Sequence, residues 1–166
     1  MLIPERLKLE IDLVHRRTNL MSTIRKNIII VAPPEQVWEV VGDPAQWQRF
    51  NPNVTQYTYT LSENGGYTGA WVYRLGKLTL SAKIRTNIYE PNRRLVVETC
   101  GQMKSNWIWW LESDDDWTHL SLTLEYTAKW AGIGAVLHNE LIEDLHSQTL
   151  DTCFSKIKQK VESLKP

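Results

Sequence analysis

Apolar and polar residues alternate along most of the chain between residues 54 and 129, whereas the segment from Ala135 to about Leu164 repeats its apolar positions every three or four residues. Alternation over short segments is typical of half-buried β-strands, and the longer spacing is typical of an amphipathic helix. Turn-forming residues separate the alternating segments, at about 54–62, 67–75, 77–89, 94–100, 105–113 and 117–129. The pattern predicts a six-stranded antiparallel meander followed by one long helix.

The alternation also assigns faces to the strands, because successive side chains point to opposite sides of a sheet. One face of the sheet is expected to be dry, and its members include Leu78, Leu80, Ala82, Ile84, Ile88, Leu120, Leu122, Leu124 and Tyr126. The C-terminal helix is expected to cover this face with an apolar stripe made of Leu137, Leu141, Leu145, Leu150, Phe154, Ile157, Val161 and Leu164.

A change of pattern near the N-terminus predicts one more strand and two short helices. The apolar run Ile28–Val31 ends at Pro33–Pro34, which cannot donate to a sheet but suit the first turn of a helix. Apolar residues at helical spacing follow over Val37–Val41, and Gly42–Pro44 ends that helix. A second short helix is expected over Ala45–Phe50.

Residues 1–21 fit two interpretations. Leu7, Leu9, Ile11 and Leu13 alternate with charged residues, as in an exposed strand, yet Leu7, Ile11 and Val14 also fit a helical stripe. We therefore treat residues 1–21 as an N-terminal extension of uncertain structure and residues 22–166 as a single domain.

Composition narrows the functional classes. The chain has 166 residues, enough for one domain with its own core. Its 19 lysines and arginines balance 19 aspartates and glutamates, so net charge gives no reason to expect a nucleic-acid partner. Cys100 and Cys153 belong to no CxxC motif or Cys/His cluster, which argues against a metal site or a disulfide framework. The sequence has no secretory signal or transmembrane segment, so a cytoplasmic location is expected.

The aromatic residues are mostly tryptophan and tyrosine, with eight Trp and six Tyr against two Phe. These side chains combine apolar area with a hydrogen-bond donor, which suits pocket walls as well as ordinary amphipathic strands. Alternation places Trp107 and Trp109 on one face and Trp110 on the other. We assign Trp110 to the dry face, which leaves Trp107 and Trp109 to meet residues 1–21 or a second copy in a homodimer.

Three short motifs support a family resemblance: Ala32-Pro-Pro-x-x-Val-Trp38, Asp43-Pro-x-x-Trp47 and Phe50-Asn-Pro52. With the order of elements, they make the chain resemble the START-like (SRPBCC) superfamily, in its bacterial polyketide cyclase/dehydrase and lipid-transport branch. The resemblance implies an α+β helix-grip fold, in which a seven-stranded antiparallel sheet curls around the long C-terminal helix and two short helices follow strand 1. It also implies an internal cavity for an apolar or amphipathic ligand, without naming that ligand.

The predicted faces give an expected lining for this cavity. It consists of Trp71, Tyr73, Leu80, Ala82, Ile84, Trp110, Leu122, Tyr126, His138, Leu141, Ile142 and Leu145. A neutral imidazole at His138 could orient a carbonyl or hydroxyl group. The histidines form no HExxH motif and no GxSxG motif is present, so metal hydrolysis and acyl transfer are not supported, and no cofactor is expected. Asp43 is interpreted as a helix cap, and Asp114–Asp116 as a solvated hairpin turn.

Three functions remain open on this basis. The first is binding or transport of a small hydrophobic ligand, such as a lipid, quinone, isoprenoid or polyketide-like aromatic. The second is an aromatase/cyclase or dehydratase that uses the same cavity, which a hydrogen-bonded pair of His138 with Tyr73 or Tyr126 would favour. The third is a protein-interaction module, which exposure of Trp107 and Trp109 would favour.

Overall fold

The structure, a computed structural model, describes residues 21–128 and 135–164, except the side chains of residue 128 and residues 135–141. Its elements follow the predicted order. They are β1 (Ser22–Ile30), α1 (Pro34–Val41), a short 3-10 helix (Pro44–Gln46), α2 (Trp47–Phe50), β2 (Val54–Leu61), β3 (Tyr67–Leu75), β4 (Leu78–Glu90), β5 (Arg94–Gly101), β6 (Met103–Asp114), β7 (Trp117–Ala128) and α3 (Ala135–Glu162).

The seven strands form one antiparallel sheet in the order β1-β7-β6-β5-β4-β3-β2, which confirms the helix-grip prediction. Strands β2 to β7 are joined as consecutive hairpins. Two of the turns place a residue other than glycine at a positive φ, 63° at Asn92 and 50° at Asp115, and both residue types tolerate this conformation. Since β1 pairs with β7, the short helices between β1 and β2 carry the chain from one edge of the sheet to the other.

The junction after β1 has the predicted local chemistry. Pro33 is the N-cap of α1 and Pro34 is its first residue. The Asp43 carboxylate accepts a hydrogen bond from the Ala45 N–H at 2.9 Å, so its capping role is confirmed. The Thr118 hydroxyl donates to the carbonyl of Ala32 at 2.8 Å and so fixes this junction to β7.

The dry face of the sheet and one face of α3 form the core. The indole of Trp109 stacks on the Phe154 ring with centroids 5.6 Å apart, which brings β6 and the helix together. Among the α3 residues whose side chains the structure describes, the buried ones are Ile142, His146, Thr149, Leu150, Cys153, Phe154, Ile157 and Val161. Leu164 lies beyond the end of the helix and is exposed, so its place in the predicted stripe is wrong.

The predicted face of Ile88 is also wrong, because β4 contains a bulge. Its pairing with β5 shifts register between Thr86 and Ile88, which reverses the alternation after that point. Tyr89, not Ile88, packs against the core and makes an edge-on contact with Trp38 at 5.1 Å between ring centroids. Ile88 instead pairs with Val96, outside the core cluster.

The faces predicted for the tryptophans of β6 are reversed. Trp107 and Trp109 lie in the core at 0% and 1% exposure, opposite Leu124 and Leu122 of β7. Trp110 lies on the other face, where the Arg94 guanidinium stands 4.6 Å from the ring centroid. Trp110 therefore does not line the interior. A homodimer through exposed Trp107 and Trp109 loses its structural basis.

Candidate functional site

A small polar cluster lies in the interior, surrounded by aromatic rings. Trp71, Tyr73 and Trp107 contact one another with ring centroids 5.6 to 6.5 Å apart. His146 on α3 is fully buried beside them, and its Nδ1 atom lies 3.5 Å from the Tyr73 hydroxyl. The Tyr126 ring lies against the same imidazole at 4.8 Å between centroids. Strands β3 and β7 thus hold one tyrosine each against the same histidine.

Burial keeps this cluster uncharged at neutral pH. Desolvation lowers the pKa of His146 to about 4, so its imidazole is neutral. Burial also raises the pKa of the Tyr73 hydroxyl, an effect that the nearby side chains of Asn53, Asn51 and Thr149 partly offset. Burial raises the pKa of Tyr126 as well. All three rings therefore act through hydrogen bonds and not through charge.

The segment after α2 adds amide groups beside this cluster. The Asn53 side chain donates to the Thr149 hydroxyl at 2.6 Å, and that hydroxyl donates to the Leu145 carbonyl of the preceding helical turn at 2.8 Å. The Asn53 main-chain N–H donates to the Asn51 side-chain oxygen at 3.1 Å. The Phe50-Asn-Pro52 motif and the Asn53 that follows it therefore connect α2 to β2 and also place polar side chains in the interior.

Several buried polar atoms of the interior have no hydrogen-bond partner among the described residues. They are Trp47 Nε1, Asn51 Nδ2, Tyr67 OH, Trp109 Nε1, Tyr126 OH and His146 Nε2. Leaving a buried polar group unsatisfied costs about 1–3 kcal/mol, so each such atom in a native fold calls for an explanation. The two indoles and the Asn51 amide nitrogen can only donate.

The protonation of His146 adds a further donor to this set. A neutral imidazole carries one proton, and when the Tyr73 hydroxyl donates to Nδ1 that proton resides on Nε2. His146 Nε2 then presents an N–H group. An acceptor oxygen on a bound molecule would satisfy this N–H group, which has no partner among the described residues.

The structure gathers most of the predicted lining residues on the interior. Those buried there are Trp71, Tyr73, Leu80, Ala82, Ile84, Leu122, Tyr126 and Ile142. Leu145 is partly buried and packs near Gly76, where an added Cβ would lie 3.3 Å from the Leu145 Cδ1 atom. The side chains of His138 and Leu141 lie outside the described residues, and Trp110 is on the outer face.

Sequence reasoning missed His146. Its signal was its spacing, four residues after Ile142 and four before Leu150, both of which are buried on the same face of α3. The predicted stripe instead followed Leu141 and Leu145, which favoured His138. His138 lies four residues before Ile142 on the same i, i+4 row, and its side chain is outside the described residues.

Other chemistry is not supported within residues 21–128 and 135–164. No group of three or more His, Cys, Asp or Glu side chains there could hold a metal ion. No helix in the same ranges is long and apolar enough to cross a membrane. Burial raises the pKa of the Cys153 thiol to about 12, so it is protonated and unreactive at neutral pH.

The sheet, the long helix and the aromatic interior define a START-like protein of the helix-grip type. The sequence matches a family model described as polyketide cyclase / dehydrase and lipid transport over residues 21–162. This chain belongs to that family. A comparison with curated proteins gave no significant match.

Solved structures with a similar fold include an aromatase/cyclase and a START superfamily protein by name. A Thermus thermophilus protein superposes with a TM-score of 0.76 at 17% identity, covering 87% of this chain and 100% of its own. The Zhui aromatase/cyclase of a Streptomyces species gives 0.75 at 15% identity, covering 86% and 94%. A START superfamily protein of Mycobacterium smegmatis gives 0.68 at 14% identity, covering 86% and 99%. At these identities the likeness shows a shared fold.

Proposed function

We propose that this protein binds a small, uncharged, largely apolar ligand that carries at least one acceptor oxygen. The observation that carries the proposal is His146, fully buried among aromatic rings with its Nε2 atom unpartnered by any described residue. Family membership supports a ligand-binding or cyclase role. The ligand would lie between the sheet and α3, with its oxygen accepting from the Nε2–H group.

The charge of the interior argues for a neutral ligand. The buried polar side chains of the described residues are Asn51, Thr99, Ser105, Thr118, His146 and Thr149, and none of them carries a charge at neutral pH. An ion placed there would lose its hydration without a counter-charge, which is strongly unfavourable. Quinones, isoprenoid alcohols, neutral lipids and polyketide-like aromatics meet this requirement better than free carboxylates.

Apolar burial would supply most of the affinity. At roughly 25 cal/mol per Å², burying about 200 Å² of apolar ligand surface contributes roughly 5 kcal/mol. Hydrogen bonds to His146 and the neighbouring donors would then fix the orientation of the ligand.

Native mass spectrometry of the purified full-length protein tests this proposal, followed by solvent extraction and identification of the bound molecule. We expect a mass increment that His146→Leu reduces, because this change removes the donor. Trp110→Leu on the outer face is the matched control and should retain the increment. Failure to retain any candidate neutral ligand, whether purified with the protein or added, would overturn the proposal.

The second candidate function is an aromatase/cyclase or dehydratase, favoured by the contact between His146 and Tyr73. An imidazole next to a phenol could move a proton between carbon and oxygen atoms of a bound carbonyl compound. The pKa of about 4 makes His146 a weak base at neutral pH, which is why we place binding first. Tyr73→Phe separates the two, since it should abolish turnover in an enzyme but leave much of the affinity of a binding protein.

A further inference from the structure

The two edges of the open sheet are protected to different extents. The unpaired edge of a β-strand presents free N–H and C=O groups that can pair with another chain. Helix α3 packs along the β1 edge, where the Lys158 ammonium donates to the Ile29 carbonyl at 2.9 Å. Just past the end of β1, the Val31 N–H donates to the Glu162 carboxylate at 3.0 Å. The C-terminal end of the β1 edge is thus covered by the protein's own helix.

The β2 edge has much less protection from the described residues. Gln48 donates to the Thr55 carbonyl at 3.3 Å, near the start of the strand. Within the described part of the chain, only β3 pairs with the main chain from Gln56 to Leu61. Six of the eight residues of β2 are exposed.

The sequence of β2 also lacks the usual protection of an edge. Natural edge strands avoid pairing with other chains by means of charged side chains, prolines or bulges. The strand Val54-Thr-Gln-Tyr-Thr-Tyr-Thr-Leu61 contains no charged residue and no proline, and its bulge lies at the beginning, between Val54 and Gln56. Tyr59 and Leu61 are 40% and 63% exposed. Threonine and tyrosine are residues that favour strands.

We propose that β2 pairs antiparallel with β2 of a second copy of this chain, so that two sheets join into one. The partner is a second copy because the strand is complementary to itself. When Thr58 faces Thr58 of the second copy, Tyr57 faces Tyr59 and Gln56 faces Thr60. Tyr57 and Tyr59 share one face and already have ring centroids 5.6 Å apart, so the two-fold axis brings four tyrosine rings together.

The protected β1 edge sets the size of this assembly. Pairing around a two-fold axis uses the β2 edge of each copy and leaves no free β2 edge. Further growth would need the β1 edge, whose C-terminal end α3 covers through Lys158 and Glu162 and whose middle carries the charged residues Arg25 and Lys26. The assembly therefore ends at a dimer.

Disulfide trapping tests the proposed register in the full-length chain. Cys100→Ser removes the exposed native thiol, and Thr58→Cys or Thr60→Cys is added to that background. Residues directly opposite in an antiparallel pair have Cα atoms about 4.5–5.5 Å apart, within disulfide range. The two copies of residue 60 would lie four residues out of register, roughly 13 Å apart. We expect Thr58→Cys to give a covalent dimer of twice the 19.3 kDa chain mass, and Thr60→Cys to give about tenfold less.

Sedimentation of the chain without any substitution provides the independent measurement. We expect a dimer in the micromolar range, weakened about tenfold or more by Thr58→Lys, which places two like charges opposite each other. Thr23→Lys on the β1 edge is the matched control and should leave the dimer intact. A monomeric unsubstituted chain overturns the proposal, as does equal trapping at residues 58 and 60. Because only the dimer depends on these residues, ligand binding tests the proposed function separately.

Discussion

The buried imidazole of His146 predicts a specific dependence of stability on pH. Its pKa falls from 6.5 in the unfolded chain to about 4 in the fold, because burial disfavours the charged ring. The unfolded state therefore binds a proton more readily than the folded state. The stabilising contribution is fully present above pH 6.5 and is lost as the pH falls from 6.5 towards about 4.

The size of the effect follows from proton linkage. At about pH 5 His146 is protonated in most unfolded molecules, whereas it is neutral in most folded molecules. The difference lowers the free energy of unfolding by about 2 kcal/mol relative to about pH 7.5. With a urea dependence of roughly 2 kcal/mol per molar, the midpoint should fall by about 1 M.

Urea unfolding followed by tryptophan fluorescence measures this shift. His146→Gln keeps a polar side chain at the position but cannot titrate. We expect the variant to lose about 2 kcal/mol less than the unsubstituted protein over the same pH range, while changes from carboxylates affect both proteins equally. Parallel pH profiles for the two proteins would show that His146 is not buried in its neutral form.

Three further experiments with substituted proteins test the packing of the fold. Trp109→Ala should lower the free energy of unfolding by about 3–5 kcal/mol, because it leaves a large cavity in the core. Trp110→Ala on the outer face should lower it by less than about 1 kcal/mol. Equal losses would contradict the assignment of the two tryptophans to opposite faces. Asp43→Ala should cost about 1 kcal/mol in a thermal or urea melt and Asp43→Asn much less, and a neutral Asp43→Ala would refute the cap. Gly69→Ala should lower the melting temperature, because the added Cβ would lie 2.0 Å from the Thr58 carbonyl oxygen; an unchanged melting temperature would contradict this pairing of β2 with β3.

Sequence patterns were sufficient for the architecture because most of the strands alternate and the turns between them carry residues that suit a turn. The prolines after β1 and the glycines and asparagines between strands gave the element order. The same patterns do not predict which residues of β6 face the core. Trp107–Leu111 is an unbroken apolar run, so alternation alone does not say which of its residues face the core. Pairing with Leu122 and Leu124 of β7 decides it.

The residues of the candidate site were also harder to predict from the sequence, for a similar reason. The expectation for His138 rested on the spacing of Leu141 and Leu145, whereas the packing of α3 on the sheet decides that His146 is buried. The contact of His146 with Tyr73 and Tyr126 joins residues far apart in the sequence, so it emerges only from the packed fold. The bulge in β4 that moves Ile88 has no signal in the local pattern either.

The protonation state of the His146 imidazole distinguishes a binding function from a catalytic one. A histidine held neutral by burial is a good hydrogen-bond partner for an uncharged oxygen and a poor base. Trp71, Tyr73 and Trp107 pack against one another beside this histidine, so the surroundings of the imidazole are apolar. These two features together predict selective binding of neutral oxygenated molecules.

Isothermal titration of the full-length protein with naphthol and naphthoate tests that claim most directly. The two probes share one ring system and differ in an uncharged hydroxyl against a carboxylate. We predict that naphthol binds at least about tenfold more tightly than naphthoate and that His146→Leu removes most of this preference. Equal or tighter binding of naphthoate, or an unchanged preference in His146→Leu, would contradict the claim.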